Sequence, residues 1–528
     1  MRKNLSLLLA LSLLLGLFSG CANKIDNSGY VATGDAILME GQDPEDLMPE
    51  EEDTQELTLA YYPDRKLNPL FGSDYTNRVL MSLMYQGLFA VDNRKNVVPI
   101  LCGEYQVSAN SRNWTFYPDP NARFSDGTRV TAEDILATYT KVKENDYYKN
   151  RFYHLWEMSI TEDGRGVIFK LDTPYENLPL LLDVPIVKAD QVEAELPLGT
   201  GPYIFEKDES SARLQRVSNW WCGETEIPAT DETIDLVEVT SPADVRDEFQ
   251  FGDVSVVCTN PMSDSFAEYR CDYELWEIES GYFMYLGCNI LYSDFFEDGT
   301  LRTFLTYAID REALAESAYN GMVDPVTLPA SPSFIHYNKT LASQYGYDSL
   351  KFIGKLGGYR IPQKDGGGNK ELRILVNSDD SARVRIARKL AETLTAMGLP
   401  STTLECAGSV YKDAVYYQNF DVYLGMTRLS ANMDLTEYFR PWGAMGAGGL
   451  AHETLYNMCL NALENSGNYY NLYSKLAEDG RIIPMMFGYY AVYAKRGLMP
   501  DLAPSRDNVF YYTLGKTMDG IRIETEYE

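Results

Sequence analysis

Residues 371–426 read ELRILVNSDDSARVRIARKLAETLTAMGLPSTTLECAGSVYKDAVYYQNFDVYLGM. Leu372, Ile374 and Val376 recur at every second position, the two-residue period of a strand. Ile386, Leu390, Leu394 and Met397 then fall on one helical face, which Gly398 ends. Thr402–Cys406 is a second short strand, Val410–Gln418 a candidate helix and Phe420–Met426 a third strand. Strand–helix–strand–helix–strand order predicts an α/β lobe built on a largely parallel sheet. Ligands of such sheets bind beyond the carboxyl ends of the strands. The segment from Arg428 to Asp434 follows the third strand and is therefore a candidate binding loop.

Further upstream the same reading continues. Leu57, Leu59 and Tyr61 alternate as a strand, and Asn77–Phe89 reads as a helix with Leu80, Leu83, Met84 and Leu88 on one face. Trp114 and Phe116 mark another strand, Asp126-Gly127 a tight turn, and Thr131 with Asp134 a capping box opening a helix with Ile135, Tyr139 and Val142 inward. The tract Asp365-Gly366-Gly367-Gly368 lacks phosphate-loop spacing and reads as a connection before a strand.

The N-terminus points to export. Arg2 and Lys3 precede 14 residues, Leu5–Phe18, that are apolar except for Ser6, Ser12 and Gly16. That length suits a signal peptide (residues 1–20) and falls short of the ~20 residues of a membrane span. Phe18-Ser19-Gly20-Cys21 resembles the lipobox of bacterial lipoproteins, which makes Cys21 the expected lipidation site. Nine acidic residues and no basic one lie between Glu40 and Glu56, so 21–56 is read as a lipidated, disordered spacer. The remaining ~470 residues exceed the size of one growing core and predict two or three domains.

A formal charge of −31 argues against nucleic acid, which needs basic patches. The seven cysteines after Cys21 show no CxxC motif. They read as scattered core residues, with Cys258–Cys271 the one pair worth testing as a bridge. Neither GxSxG nor HExxH occurs, and His154, His336 and His452 lie far apart in the chain. No catalytic residue, cofactor or metal site is therefore expected.

Five further segments resemble, in order, the extracellular solute-binding family that contains the oligopeptide-, dipeptide- and nickel-binding components of ABC importers. They are Leu67-Asn68-Pro69 with LMSLMYQGLFAVD (80–92), WTFYPDPNARFSDGTRVTAEDIL (114–136), LGTGPYIF (198–205), LRTFLTYAIDREAL (301–314) and RIIPMMFGYYAVYAKRG (481–497). The resemblance implies an α/β fold of the type II periplasmic-binding-protein class with two hinged lobes. Lobe I would comprise 57–90, 190–285 and 481–528, with an extra subdomain at 91–189, and lobe II 286–480. It implies a substrate-binding lipoprotein on the outer face of the cytoplasmic membrane, or in a periplasm. That protein would be a monomer, held to the membrane only by its lipid, that captures a small solute between the lobes and closes on it. An oligopeptide leads; an oligosaccharide, a metal complex, or a receptor role without transport are the alternatives. The implied partners are an ABC permease and its ATPase.

The resemblance also nominates contacts. Peptide binders of the family commonly carry Ala-Asp-Tyr after the lobe II strand, the Asp pairing with the ligand's ammonium. Here Ala431 is followed by Asn432 and Met433, with Asp434 next. An amide offers only neutral hydrogen bonds where a carboxylate would pair a charge. By position, Ser73, Asp74 and Tyr75 would run along the ligand backbone, and Tyr282, Tyr285 and Asn289 would flank the cleft. Ser430 belongs to the same loop, and Arg428 could meet a carboxylate in bidentate fashion.

Overall fold

In the computed structural model, residues 55–528 form one compact unit. The described residues are 56–523, except 72, 73 and 448. The leader, Cys21, the acidic spacer and Ser73 lie outside them.

The opening stretch folds as its pattern predicts. Leu372–Asn377 pairs in parallel with both Ser401–Cys406 and Val422–Arg428, and the helices Ser381–Ala396 and Gly408–Tyr416 form the crossovers. Alternation sorts the first strand between two cores. Ile374 and Val376 join Ile386, Leu390 and Leu394 on one face. Leu375 joins Phe283, Tyr285, Tyr423 and Tyr438 on the other.

This parallel trio is one end of an 11-stranded sheet. At the other end Thr58–Tyr61 lies parallel between Val256–Thr259 and Thr233–Glu238, and the antiparallel strands Ala212–Arg216 and Tyr203–Lys207 complete the edge. Two long antiparallel strands, Tyr273–Cys288 and Ile482–Lys495, run through both halves. Tyr273–Glu279 pairs with Tyr489–Lys495 in the first half, and Phe283–Gly287 with Ile482–Phe487 in the second. The register slips between them, at 280–282. Gly281 makes the slip possible with φ of +81°, a conformation open to glycine at no steric cost.

A four-stranded antiparallel sheet of Cys102–Val107, Asn113–Pro118, Val167–Leu171 and Leu155–Ile160 stands apart from the large one. The helix Ala132–Val142 packs on it through Ile135, Tyr139 and Val142, and the Thr131–Asp134 capping box opens that helix as expected. The crossing at 199–202 passes so close to the end of the helix Tyr75–Met84 that a Cβ on Gly201 would sit 2.4 Å from the Leu83 carbonyl oxygen.

One expected helix is shorter, one family-matched segment divides, and the cysteine pair worth testing as a bridge is open. The helix expected over 77–89 runs Tyr75–Met84 and stops because Tyr85 turns extended (φ −130°, ψ 148°). Its buried hydroxyl lies 2.8 and 2.9 Å from the Leu67 and Pro197 carbonyls, so the chain beyond becomes the strand Phe89–Val91. The segment 301–314 is divided by Asp310, whose side chain caps a new helix, Arg311–Tyr319. Cys258 and Cys271 are free, as are the other five cysteines after Cys21.

Candidate functional site

The sheet's seam at 280–282 is where side chains from distant segments converge. Tyr75 begins its helix because Asp74 caps it, accepting from the Asn77 amide at 2.9 Å while also pairing with Arg65. The Tyr75 hydroxyl meets that of Tyr282 at 3.2 Å, and its ring packs on Tyr490, 4.9 Å between centroids. These three tyrosines bring together the first helix and both long strands.

Beside them lies a buried charge cluster centred on Asp507. One carboxylate oxygen accepts from Arg78 at 2.7 Å and from the Tyr147 hydroxyl, with Arg428 at 3.3 Å; the other accepts from Arg151, with Arg506 at 3.9 Å. Arg151 also pairs with Asp183, and Lys95 with Glu279 at 2.7 Å. The guanidinium carbons of Arg78, at 3.9 Å, and Arg428, at 3.8 Å, both lie over the Tyr147 ring, a cation–π arrangement strengthened by exclusion of water. Burial alone would raise the Asp507 carboxyl, but Arg151, Arg428, Arg78 and Arg506 outweigh it and hold it well below the usual carboxylate range. Arg428 belongs to the strand Val422–Arg428 of the second half, so it ties that half to Tyr147 and Asp507. Its Nε and Nη1 donate to the Ser280 and Tyr147 carbonyls, each at 3.1 Å.

A second crossing joins the loop after Arg428 to the small sheet. His154 Nε2 lies 3.2 Å from Asp434 Oδ2 and 3.0 Å from Thr436 Oγ1, and Nδ1 lies 2.8 Å from Asp172. Burial works against the proton, but Asp434 and Asp172 overcome it and lift His154 to about 10. The imidazole is therefore charged at neutral pH and donates from both nitrogens. Asp434 responds in kind: burial raises it, yet His154 and the Thr436 amide bring it below its ordinary value.

Residues 96–449 match the family model for bacterial extracellular solute-binding proteins, family 5, middle. The chain belongs to this family. Oligopeptide-binding protein AppA of Bacillus subtilis is 24% identical over 464 residues, covering 80% of this chain and 83% of that one. Its structure with a nonapeptide matches with a TM-score of 0.59 at 19% identity, over 87% and 98% of the two chains. Glutathione-binding protein GsiB of Pectobacterium atrosepticum is 25% identical over 289 residues, 52% of this chain and 55% of that one. The ABC transporter substrate-binding protein CtaP of Listeria monocytogenes matches with a TM-score of 0.67 at 15% identity, over 86% and 97%. The fold is thus that of the type II periplasmic binding proteins, and this family is one of extracellular solute binders rather than enzymes.

Within this family 5 protein the residues expected at the ligand divide into groups. Tyr75, Tyr282 and Arg428 converge at the seam, and Asp74 is spent on capping and on Arg65. Tyr285 is buried, its hydroxyl 3.1 Å from that of Tyr423. Asn289 is fully buried and donates to the Gln418 and Phe420 carbonyls, both at 2.9 Å. Ser430 donates to Asn432 at 2.6 Å, and Asn432 and Asp434 are buried with it. Met433 between them holds φ of +52°, which turns the loop. Arg78, Tyr147, Arg151, Arg506 and Asp507 were not among the residues read from the sequence, and His154 was read only as an isolated histidine. No spacing links them, since 429 positions separate Arg78 from Asp507. Among the described residues, no His, Cys, Asp and Glu side chains group as metal ligands. No described helix is long and apolar enough to cross a membrane.

Proposed function

We propose that this family 5 protein is the substrate-binding lipoprotein of an ABC importer, anchored through Cys21. It captures an oligopeptide between two lobes and delivers it to a permease and ATPase. In this reading lobe I is 57–90, 190–285 and 481–528, the subdomain 91–189 and lobe II 286–480, and the protein works as a monomer.

The observation that carries the reading is the seam. Both long strands cross it, the register slips there at Gly281, and polar groups of the two sheet halves meet at Arg428, Tyr147 and Asp507. A sheet that breaks register at a glycine, and again between Met284 and Tyr285, is a natural place for hinge rotation. The relatives named for oligopeptides and glutathione favour a peptide among possible solutes.

Melting the chain from Gln55 onward against separate pools of short peptides, oligosaccharides and nickel or haem complexes tests this. A ligand at 100 times its dissociation constant adds ~2.7 kcal/mol. With unfolding entropy of ~2.1 cal/mol/K per residue, or ~1 kcal/mol/K for ~470 residues, that is a shift of about 3 °C. A shift with peptides alone supports the reading; a shift with another pool alone replaces the peptide, and no shift with any pool favours a role without solute capture.

A further inference from the structure

Residues 143–154 connect the helix Ala132–Val142 to the strand Leu155–Ile160, and their side chains divide between two cores. Tyr148 and Phe152 are buried with Tyr139 and Phe169, and Arg151 is tied to Asp183 and Asp507. Their neighbours face the other way. Asn150 Nδ2 donates to the Arg428 carbonyl at 2.9 Å, and its Oδ1 accepts from the Tyr153 hydroxyl at 2.6 Å. The Tyr153 ring packs on the core that contains Leu429, Leu435 and Tyr438. His154 reaches Asp434 and Thr436, and Arg428 donates to the Tyr147 carbonyl at 3.1 Å and hydroxyl at 2.6 Å. Four residues of one short segment thus grip the loop 428–436 at both its ends.

The two sides of this segment are held by different forces. Toward its own sheet it is held by buried rings, whose release would return apolar surface to water. Toward the loop it is held mainly by hydrogen bonds and one ion pair. Water replaces such bonds at a net loss of only a few kcal/mol each, so the loop side is the side that parts first. The strongest contact there is His154–Asp434, with side chains 14 and 7% exposed. Both partners are otherwise satisfied, His154 Nδ1 by Asp172 and Asp434 Oδ1 by the Thr436 amide at 2.8 Å. The space behind the contact is closed. The cavity that Ala431 shares with Lys95, Arg151 and Arg506 holds about 10 Å³, and its neighbour under Tyr75 and Tyr490 about 20 Å³. Solute sites measure roughly 300–1,000 Å³, so a solute reaches the seam only when the loop moves away.

We propose that residues 147–154 are a strap that locks the loop 428–436 of lobe II against lobe I, with the His154–Asp434 pair as its fastening, and that release of this strap is the step that admits solute. The proposal rests on the solute-capture reading and adds its gate. The fastening is internal to the chain, so the protein closes on its own contacts and solute capture begins from a closed state.

Hydrogen exchange read by mass spectrometry on the chain from Gln55 onward tests the strap without any solute. Segments 147–154 and 428–436 should be protected in the parent. His154→Gln should speed exchange in both by roughly 10- to 100-fold, the range of a charge-assisted hydrogen bond, while the strand Leu372–Asn377 stays unchanged. Asn150→Ala, which leaves the ion pair intact, should speed the same two segments by roughly 2- to 10-fold, and keeps the test alive should His154→Gln fail to fold. Unprotected segments in the parent, or a rise spread evenly over the whole chain, would overturn the strap. Stopped-flow mixing with a tetrapeptide pool then reads the gate. Association that quickens with His154→Gln supports it, and equal rates for parent and variant overturn it. A local rise in exchange with no peptide bound by either protein would support the strap and overturn peptide capture instead.

Discussion

Asp507→Asn removes the one carboxylate that four arginines share. Its side chain is 4% exposed, and those of Arg151, Arg428 and Arg506 are 5, 9 and 8% exposed. An amide of the same shape keeps the packing, yet its nitrogen faces donors and its charge is gone. Removing one partner from a buried pair costs ~3–5 kcal/mol because the other charge stays behind. At ~1 kcal/mol/K for a chain of this size, that lowers the melting temperature by ~3–5 °C. Differential scanning calorimetry at pH 7 reads the shift directly. The surface pair Lys170–Glu157, whose side chains are 36 and 38% exposed, provides the contrast, since Lys170→Met should cost under ~1 kcal/mol. The acid dependence follows from the same geometry. Asp507 is held below its unfolded value, so its stabilisation is present above ordinary carboxylate pH and is lost as pH falls through the lower folded value. The variant should lack that acid-side component. An Asn variant melting within 1 °C of the parent would refute the claim that these arginines depend on Asp507.

Other consequences can be checked in parallel. Gly281→Ala puts a Cβ 2.4 Å from both the Leu429 carbonyl and the Arg506 guanidinium at φ of +81°. Left-handed backbone alone costs ~1–2 kcal/mol, so the urea midpoint should fall clearly. His154 is raised to about 10, so its proton stabilises fully below ~6.5 and that contribution fades as pH rises toward 10. His154→Gln should therefore flatten the melting profile between pH 6.5 and 10 relative to the parent. Thr131→Ala removes the hydroxyl that accepts from the Asp134 amide and donates to the Asp134 carboxylate, while the Thr131 amide keeps its own bond to that carboxylate, an expected loss of ~1 kcal/mol in chemical denaturation. Thiol titration of the unfolded chain from Gln55 should count seven thiols; five would mean that one pair is bridged.

What could be read from the sequence was local. Leu372, Ile374 and Val376 carry a strand period, Ile386 to Leu394 a helix period, and Thr131 with Asp134 a cap, each within a few residues of its own consequence. Those signals were enough for the strands and helices of residues 371–428 and their parallel order. They failed where a distant contact overrode the local pattern. Leu88 keeps the helical spacing of Leu80 and Met84, but Tyr85 is drawn to carbonyls at positions 67 and 197, so the helix ends early. Tyr282 was nominated only through the family resemblance and Arg428 only as a candidate ligand contact; the structure sets them opposite each other at the seam, Tyr282 within its strand and Arg428 at the end of its own. Arg506 and Asp507 sit in the aperiodic run Pro504-Ser505-Arg506-Asp507, which announces nothing until the fold carries it to Arg78 and Arg151. His154 likewise gains its meaning only from Asp172 and Asp434, the latter 280 positions away.

The central claim is that an oligopeptide is what the two lobes hold. Its most direct test is native mass spectrometry of the full-length protein isolated from its own cell envelope, with release and fragmentation of whatever co-purifies. The account predicts bound masses that fragment into amino-acid residue series. A bound oligosaccharide or metal complex, with no peptide released, would contradict it.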